Sequence, residues 1–145
     1  MTNDDFAMLM DLEKAFSNPR SVKLPFEQTL KKYDVSSVNT KDAFLLRYDR
    51  RGRYEFKHKN QLTHGNDFPL VRLEINAPEH KNPDGYITSR NHIHVYREGY
   101  GLSWAYEFNE IFLLKLDEVT PLELFTLFCG YCKIDLSNII LQGVV

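Results

Sequence analysis

The chain opens with an apolar spacing of three and four. Phe6, Leu9, Met10, Glu13 and Phe16 follow i, i+3, i+4 steps through residues 3–17, which predicts an N-terminal amphipathic helix. Thr2 or Asn3, followed by Asp4 and Asp5, supplies the cap and the acidic first turn, and Asn18-Pro19 ends the run. The pieces that follow, SVKLPF and a polar stretch to Thr40, leave strand and turn both open. Leu24 and Phe26 flank a proline and allow an edge strand at most.

From residue 43 the period becomes two. AFLLRYDRR and RYEFKHKN read as strands joined by a tight hairpin at Arg51-Gly52. PLVRLEIN alternates, with Leu70, Arg72 and Glu74 on one side and Val71, Leu73 and Ile75 on the other. Asn82-Pro83-Asp84-Gly85 predicts a turn. NHIHVYRE and LSWAYEF follow as strands around the Gly99–Gly101 turn, and IFLLKL offers a further one. Thr120, Pro121 and Glu123 then start a helix whose apolar face carries Leu124, Phe125, Leu127, Phe128 and Cys132. Together these elements predict one α+β domain over residues 1–145. A central antiparallel sheet of about five strands is bracketed by the N-terminal and C-terminal helices.

The 145 residues carry a net charge of −2, which removes any global pull toward nucleic acid or an anionic membrane. The apolar runs fall short of the ~20 residues a membrane-spanning helix needs. The start MTNDDFAMLMDLEK lacks the basic, then apolar, order of a signal peptide. A host-cell cytosolic location is therefore expected. Cys129 and Cys132 are then poor candidates for a permanent disulfide.

The candidate chemistry centres on histidine and cysteine. His92 and His94 lie two apart on a strand and share a face, a spacing that holds a metal from a rigid support or lines a polar surface. Cys129 and Cys132 share a helix face as C-x-x-C, but at the helix end, where the dipole opposes thiolate formation and disfavours a redox role. Combined, the two pairs predict a closed, structural zinc site tying helix to sheet, with His80 able to replace one histidine. The bland reading makes the cysteines small core hydrophobes. His58 and His64 are read as solvated.

Residues 47–59 add Arg47, Arg50, Arg51, Arg53, Lys57 and Lys59 interleaved with Tyr48, Tyr54 and Phe56. This pattern suits a partner- or nucleic-acid-binding surface, or simply the wet face of a hairpin. A metal-free ribonuclease would use His92 or His94 as base, Arg97 to stabilise charge and Tyr96 or Tyr100 to position substrate. No P-loop, nucleophile elbow, dinucleotide fingerprint or H-E-x-x-H occurs in the sequence.

The block L-x-R-L-x-I-N-x-P-x-H-x-N-P-D-G, then H-x-H-x-Y-R-E-G-Y, then W-A-Y, runs from Leu70 through His80, Asn82, Gly85, His92, His94 and Arg97 to Trp104 and Ala105. It resembles a small bacterial and phage family described as a domain of unknown function, and more loosely so as far as FCGYCKI. That resemblance implies a phage or prophage setting, in which small proteins without enzyme motifs bind and block host machines. The expectation is an anti-CRISPR-like inhibitor of a host defence protein, such as a Cas9-type nuclease, stapled by zinc. A small ribonuclease or toxin and a nucleic-acid-binding regulator are the alternatives.

Overall fold

A computed structural model describes residues 1–18, 21–23, 29–51 and 56–142. Helix α1 spans Asn3–Asp11, and a reciprocal capping box opens it. Thr2 Oγ1 accepts from the Asp5 N–H while the Asp5 carboxylate accepts from the Thr2 N–H. The helix ends before residue 17. Lys14–Phe16 forms strand β1, with Lys14 and Phe16 buried and Ala15 between them half-buried. Three residues are too few for alternation to outweigh the helical spacing of Phe6, Leu9 and Met10 before them.

The remaining strands are β2 (Ser21–Lys23), β3 (Thr29–Ser37), β4 (Ala43–Arg51), β5 (Lys57–His64), β6 (Phe68–Ile75), β7 (His92–Val95), β8 (Ala105–Glu107), β9 (Ile134–Asp135) and β10 (Ile140–Gln142). Eight of them make one sheet in the order β8-β7-β6-β5-β4-β3-β1-β9, while β2 and β10 pair separately. All contacts in the large sheet are antiparallel except β1 with β9. The expected five-stranded antiparallel sheet between two helices is thus corrected to an open, mixed, eight-stranded sheet with short helices. The polar stretch before Thr40 resolves as β3, a nine-residue strand. IFLLKL does not extend the sheet. Its first residues close helix α2 (Phe108–Phe112), and Leu113 adopts a left-handed φ of 55° that stops it.

Helix α3 (Pro121–Tyr131) has the expected start, with the Thr120 hydroxyl accepting from the Glu123 N–H at 3.2 Å. It buries Leu124, Phe125, Phe128 and Cys129. These join Leu9, Phe44, Leu46, Tyr48, Leu62, Leu73 and Ile93 in one core. Strand register assigns the two faces. Tyr48, Asn60, Leu73, Ile93 and Tyr106 line up across β4 to β8 on the core side. The side chains between them, Asp49, Lys59, Glu74, His92 and Glu107, line up on the other. Among the described residues no helix is long and apolar enough to cross a membrane.

Candidate metal centre

His92 and His94 project together from β7, as their spacing requires, and both are almost fully buried. The antiparallel register sets Glu74 opposite His92 and Arg72 opposite His94. Glu74 Oε2 lies 3.1 Å from His92 Nε2 and 3.5 Å from His94 Nε2. The donor atoms of all three side chains fall within 4.8 Å of one another.

Two loops orient the imidazoles. The segment between β6 and β7 brings the Ser89 carbonyl to 2.8 Å from His92 Nδ1. The turn between β7 and β8 brings the Leu102 carbonyl to 2.7 Å from His94 Nδ1. A carbonyl only accepts, so both Nδ1 atoms carry the proton and donate. Both Nε2 lone pairs then converge on a carboxylate oxygen, another acceptor. Such a meeting requires a cation between the groups, either a proton on each imidazole or a metal ion.

The group has the composition of a metal-ligand set. Nitrogen and oxygen ligands about 2.1 Å from one ion stand about 3.0 Å apart at a right angle and about 3.4 Å apart at the tetrahedral angle. The two carboxylate–imidazole separations, 3.1 and 3.5 Å, match those edges as they also match ion pairs, and the three donors together stay within 4.8 Å. Imidazole N–H groups held by backbone carbonyls are also the usual outer support of histidine ligands. Glu74 is held in turn by Arg72, whose Nε lies 2.8 Å from its other oxygen, and more distantly by Lys59. Burial alone would raise the Glu74 carboxyl. The contacts with His92, His94 and Arg72 outweigh it and keep the group ionised well below the ordinary carboxylate range.

His80 joins this neighbourhood. Its ring packs edge-on against His94 at 4.6 Å between centroids, and its Nε2–H donates to the Ser103 carbonyl at 2.7 Å. Arg72, Glu79, His80 and Ser103 wall an open cleft whose floor is Glu74, His92 and His94. The turn that carries His80 is pinned by Asn82, which is buried and exchanges two 2.9 Å hydrogen bonds with the Ala105 backbone. Gly85, at φ 94°, closes that turn.

The structure does not bring Cys129 and Cys132 to the imidazoles. Helix α3 runs into β9, at the opposite end of the sheet from β7, and both thiols are buried in the core cluster. Burial pushes both well above the ordinary thiol range, which makes them inert. The expected set of Cys129, Cys132, His92 and His94 is not assembled among the described residues; the group brought together is Glu74, His92 and His94, with His80 adjacent. His58 is not solvated but fully buried, while His64 is half-buried beside Asp42 at 3.0 Å.

Tyr96, Arg97 and Tyr100, expected around a metal-free active site, do not line the cleft over the histidines. Arg97 stacks on Trp104 at 4.1 Å and donates to the Tyr106 hydroxyl; Tyr96 donates to the Met1 carbonyl. Of the basic hairpin, Arg47, Arg51 and Lys57 share the face of the histidines. Arg50 lies on the opposite face, against the Phe56 ring at 5.0 Å, and Arg53 falls outside the described residues.

Fold and site define an open-sheet protein with a two-histidine, one-carboxylate cluster on its polar face. The chain belongs to the family described as a family of unknown function (DUF6978), whose model matches residues 1–134. No curated protein and no solved structure matches it.

Proposed function

We propose that this protein holds a zinc-class divalent ion through Glu74, His92 and His94 and works as a metal-dependent enzyme at that centre. The observation that supports it most is the convergence of two Nε2 lone pairs and one carboxylate oxygen at the floor of a cleft. Three protein ligands leave a coordination position for water or substrate, whereas a structural zinc site is closed by four. In that position an ion polarises a substrate oxygen and acidifies a bound water. Arg72 fixes Glu74, the Ser89 and Leu102 carbonyls fix the two rings, and His80 stands where it can meet a ligand in the cleft.

The test is metal content per chain by elemental mass spectrometry on untagged protein, with thermal unfolding before and after chelation. About one transition-metal ion per chain is expected, lost in Glu74→Gln and in His92→Ala. Protein that purifies without metal, and whose unfolding temperature does not move on adding zinc, manganese or iron(II), would falsify the centre. The Glu74–His92–His94 contacts would then be proton-bridged ion pairs. The nuclease-inhibitor reading draws its support from the sequence resemblance alone; it predicts a stoichiometric block of target cleavage that survives His92→Ala.

A further inference from the structure

Strand register assembles a cationic row that the linear sequence conceals. Lys32 on β3 pairs with Arg47 on β4, Arg47 with Gln61 on β5, Gln61 with Arg72 on β6, and Arg72 with His94 on β7. Side chains at paired positions share a face, so Lys32, Arg47, Gln61, Arg72 and His94 form one line across five strands. At about 4.8 Å per strand it runs about 19 Å and ends at the metal centre. No acid interrupts it, in a chain whose net charge is −2. On the parallel row, Asp49 and Glu74 each have a basic neighbour, Arg51 at 3.1 Å from Asp49 and Arg72 at 2.8 Å from Glu74, and Glu107 at its far end accepts from the Ser89 N–H. Arg51 and Lys57, a further pair on this face, border a second cleft that shares Glu74 and Pro78 with the cleft over the histidines.

We infer that this row binds a single-stranded nucleic acid through its phosphodiester backbone and delivers one phosphate to the metal centre. The inference rests on the metal-centre reading for its end point and on the register for its track. Charge complementarity selects the occupant: spaced cations on a line meet a spaced polyanion, and a phosphoryl oxygen is a fitting ligand for the open position of a Lewis-acid ion. Arg47 and Lys32 contact the backbone away from the ion, while Arg72 stays ion-paired with Glu74 and supplies N–H groups at the near end.

The test uses the full chain, a fluorescein-labelled 12-nucleotide RNA and a DNA strand of the same sequence, read by anisotropy across a salt series. The zinc-supplemented wild type should bind at low salt, more weakly as salt rises. Lys32→Glu/Arg47→Glu should lower affinity at least tenfold and flatten the salt slope by about 1.4, as two lost single-strand phosphate contacts require. Its metal content and near-ultraviolet circular dichroism should match wild type, which separates a failure of the track from a failure of the centre. Similar affinity for the RNA and DNA strands would support backbone recognition. No binding of either strand at low salt, or undiminished affinity in the double variant, would overturn the inference.

Discussion

Replacing His58 with glutamine removes one titrating group from the core and should flatten the acid limb of the stability curve. His58 lies on the core side of β5, fully buried, its ring 5.2 Å from Tyr48 and 5.8 Å from Phe56. Its Nε2–H donates to Asn60 Oδ1 at 2.5 Å, and Nδ1 has no partner. Burial first, and Arg50 nearby, press its pKa from an ordinary 6.5 to about 4, against the opposing pull of Asn60. The sign follows from proton counting. Below pH 6.5 the unfolded chain protonates this histidine while the native chain does not, so the unfolded state binds more protons and stability falls as the pH is lowered. The fall runs at about 1.4 kcal/mol per pH unit and ends near pH 4, where both states are protonated, for about 3 kcal/mol in all. Glutamine still reaches the Asn60 oxygen with an N–H but does not titrate. Urea unfolding of both proteins in chelator, from pH 7.5 to 4, gives the difference curve. The wild type should lose its advantage over His58→Gln along that slope. A pH-independent difference would refute a neutral, buried His58.

Two further outcomes follow from the core. Lys14 is wholly buried, and its ammonium donates to the carbonyls of Met10, Leu12 and Cys132, joining the ends of α1 and α3 to β1. Lys14→Met keeps the length but orphans three acceptors, and should cost about 2–4 kcal/mol in urea unfolding; a loss under 1 kcal/mol would show that these carbonyls find other partners. Cys129→Ala/Cys132→Ala should lower stability through the cavities it leaves while metal content per chain stays at the wild-type value. Metal lost together with the thiols, in a variant that remains folded, would instead return them to the ligand set.

The faces of β6 and β7 were legible in the sequence; their neighbours were not. Alternation in PLVRLEIN and NHIHV separates Arg72, Glu74, His92 and His94 from Leu73, Ile75, Ile93 and Val95, as observed. Yet nothing in the one-dimensional pattern says that Glu74 stands opposite His92, because register is a property of two strands and the loop joining them. The family-like block even leaves position 74 open. Sheet order was equally hidden. The C-x-x-C and H-x-H look combinable until α3 is seen to deliver its end to β9, at the opposite end of the sheet from β7. His58 misled for another reason. Polar residue types on RYEFKHKN suggested solvent, but His58 and Asn60 are the core-facing set of that strand, satisfied in part by each other. The short strands β1 and β9 carry three and two residues, below the length at which a period of two can be told from one of 3.6.

Much of the block from His80 to Trp104 acquires a physical meaning once the centre is in view. His92 and His94 supply nitrogen donors, but a donor is useful only if its other nitrogen is fixed, and the fixing atoms are backbone carbonyls that have no sequence signature of their own. The residues that position those carbonyls do have one. Gly99 and Gly101, at φ 82° and 58°, form the turn that presents the Leu102 carbonyl to His94. Asn82 clamps the preceding turn onto the Ala105 backbone, and Thr88 donates to the Ser89 carbonyl that accepts from His92. Arg90 reaches back to the carbonyls of Asn76 and Ala77 and ties the two ends of the loop together. The asparagine and glycine positions thus act through geometry, and the histidines would supply the donors of the proposed centre. Glu74 comes from the neighbouring strand, and so the centre depends on the β6–β7 register as much as on the motif itself.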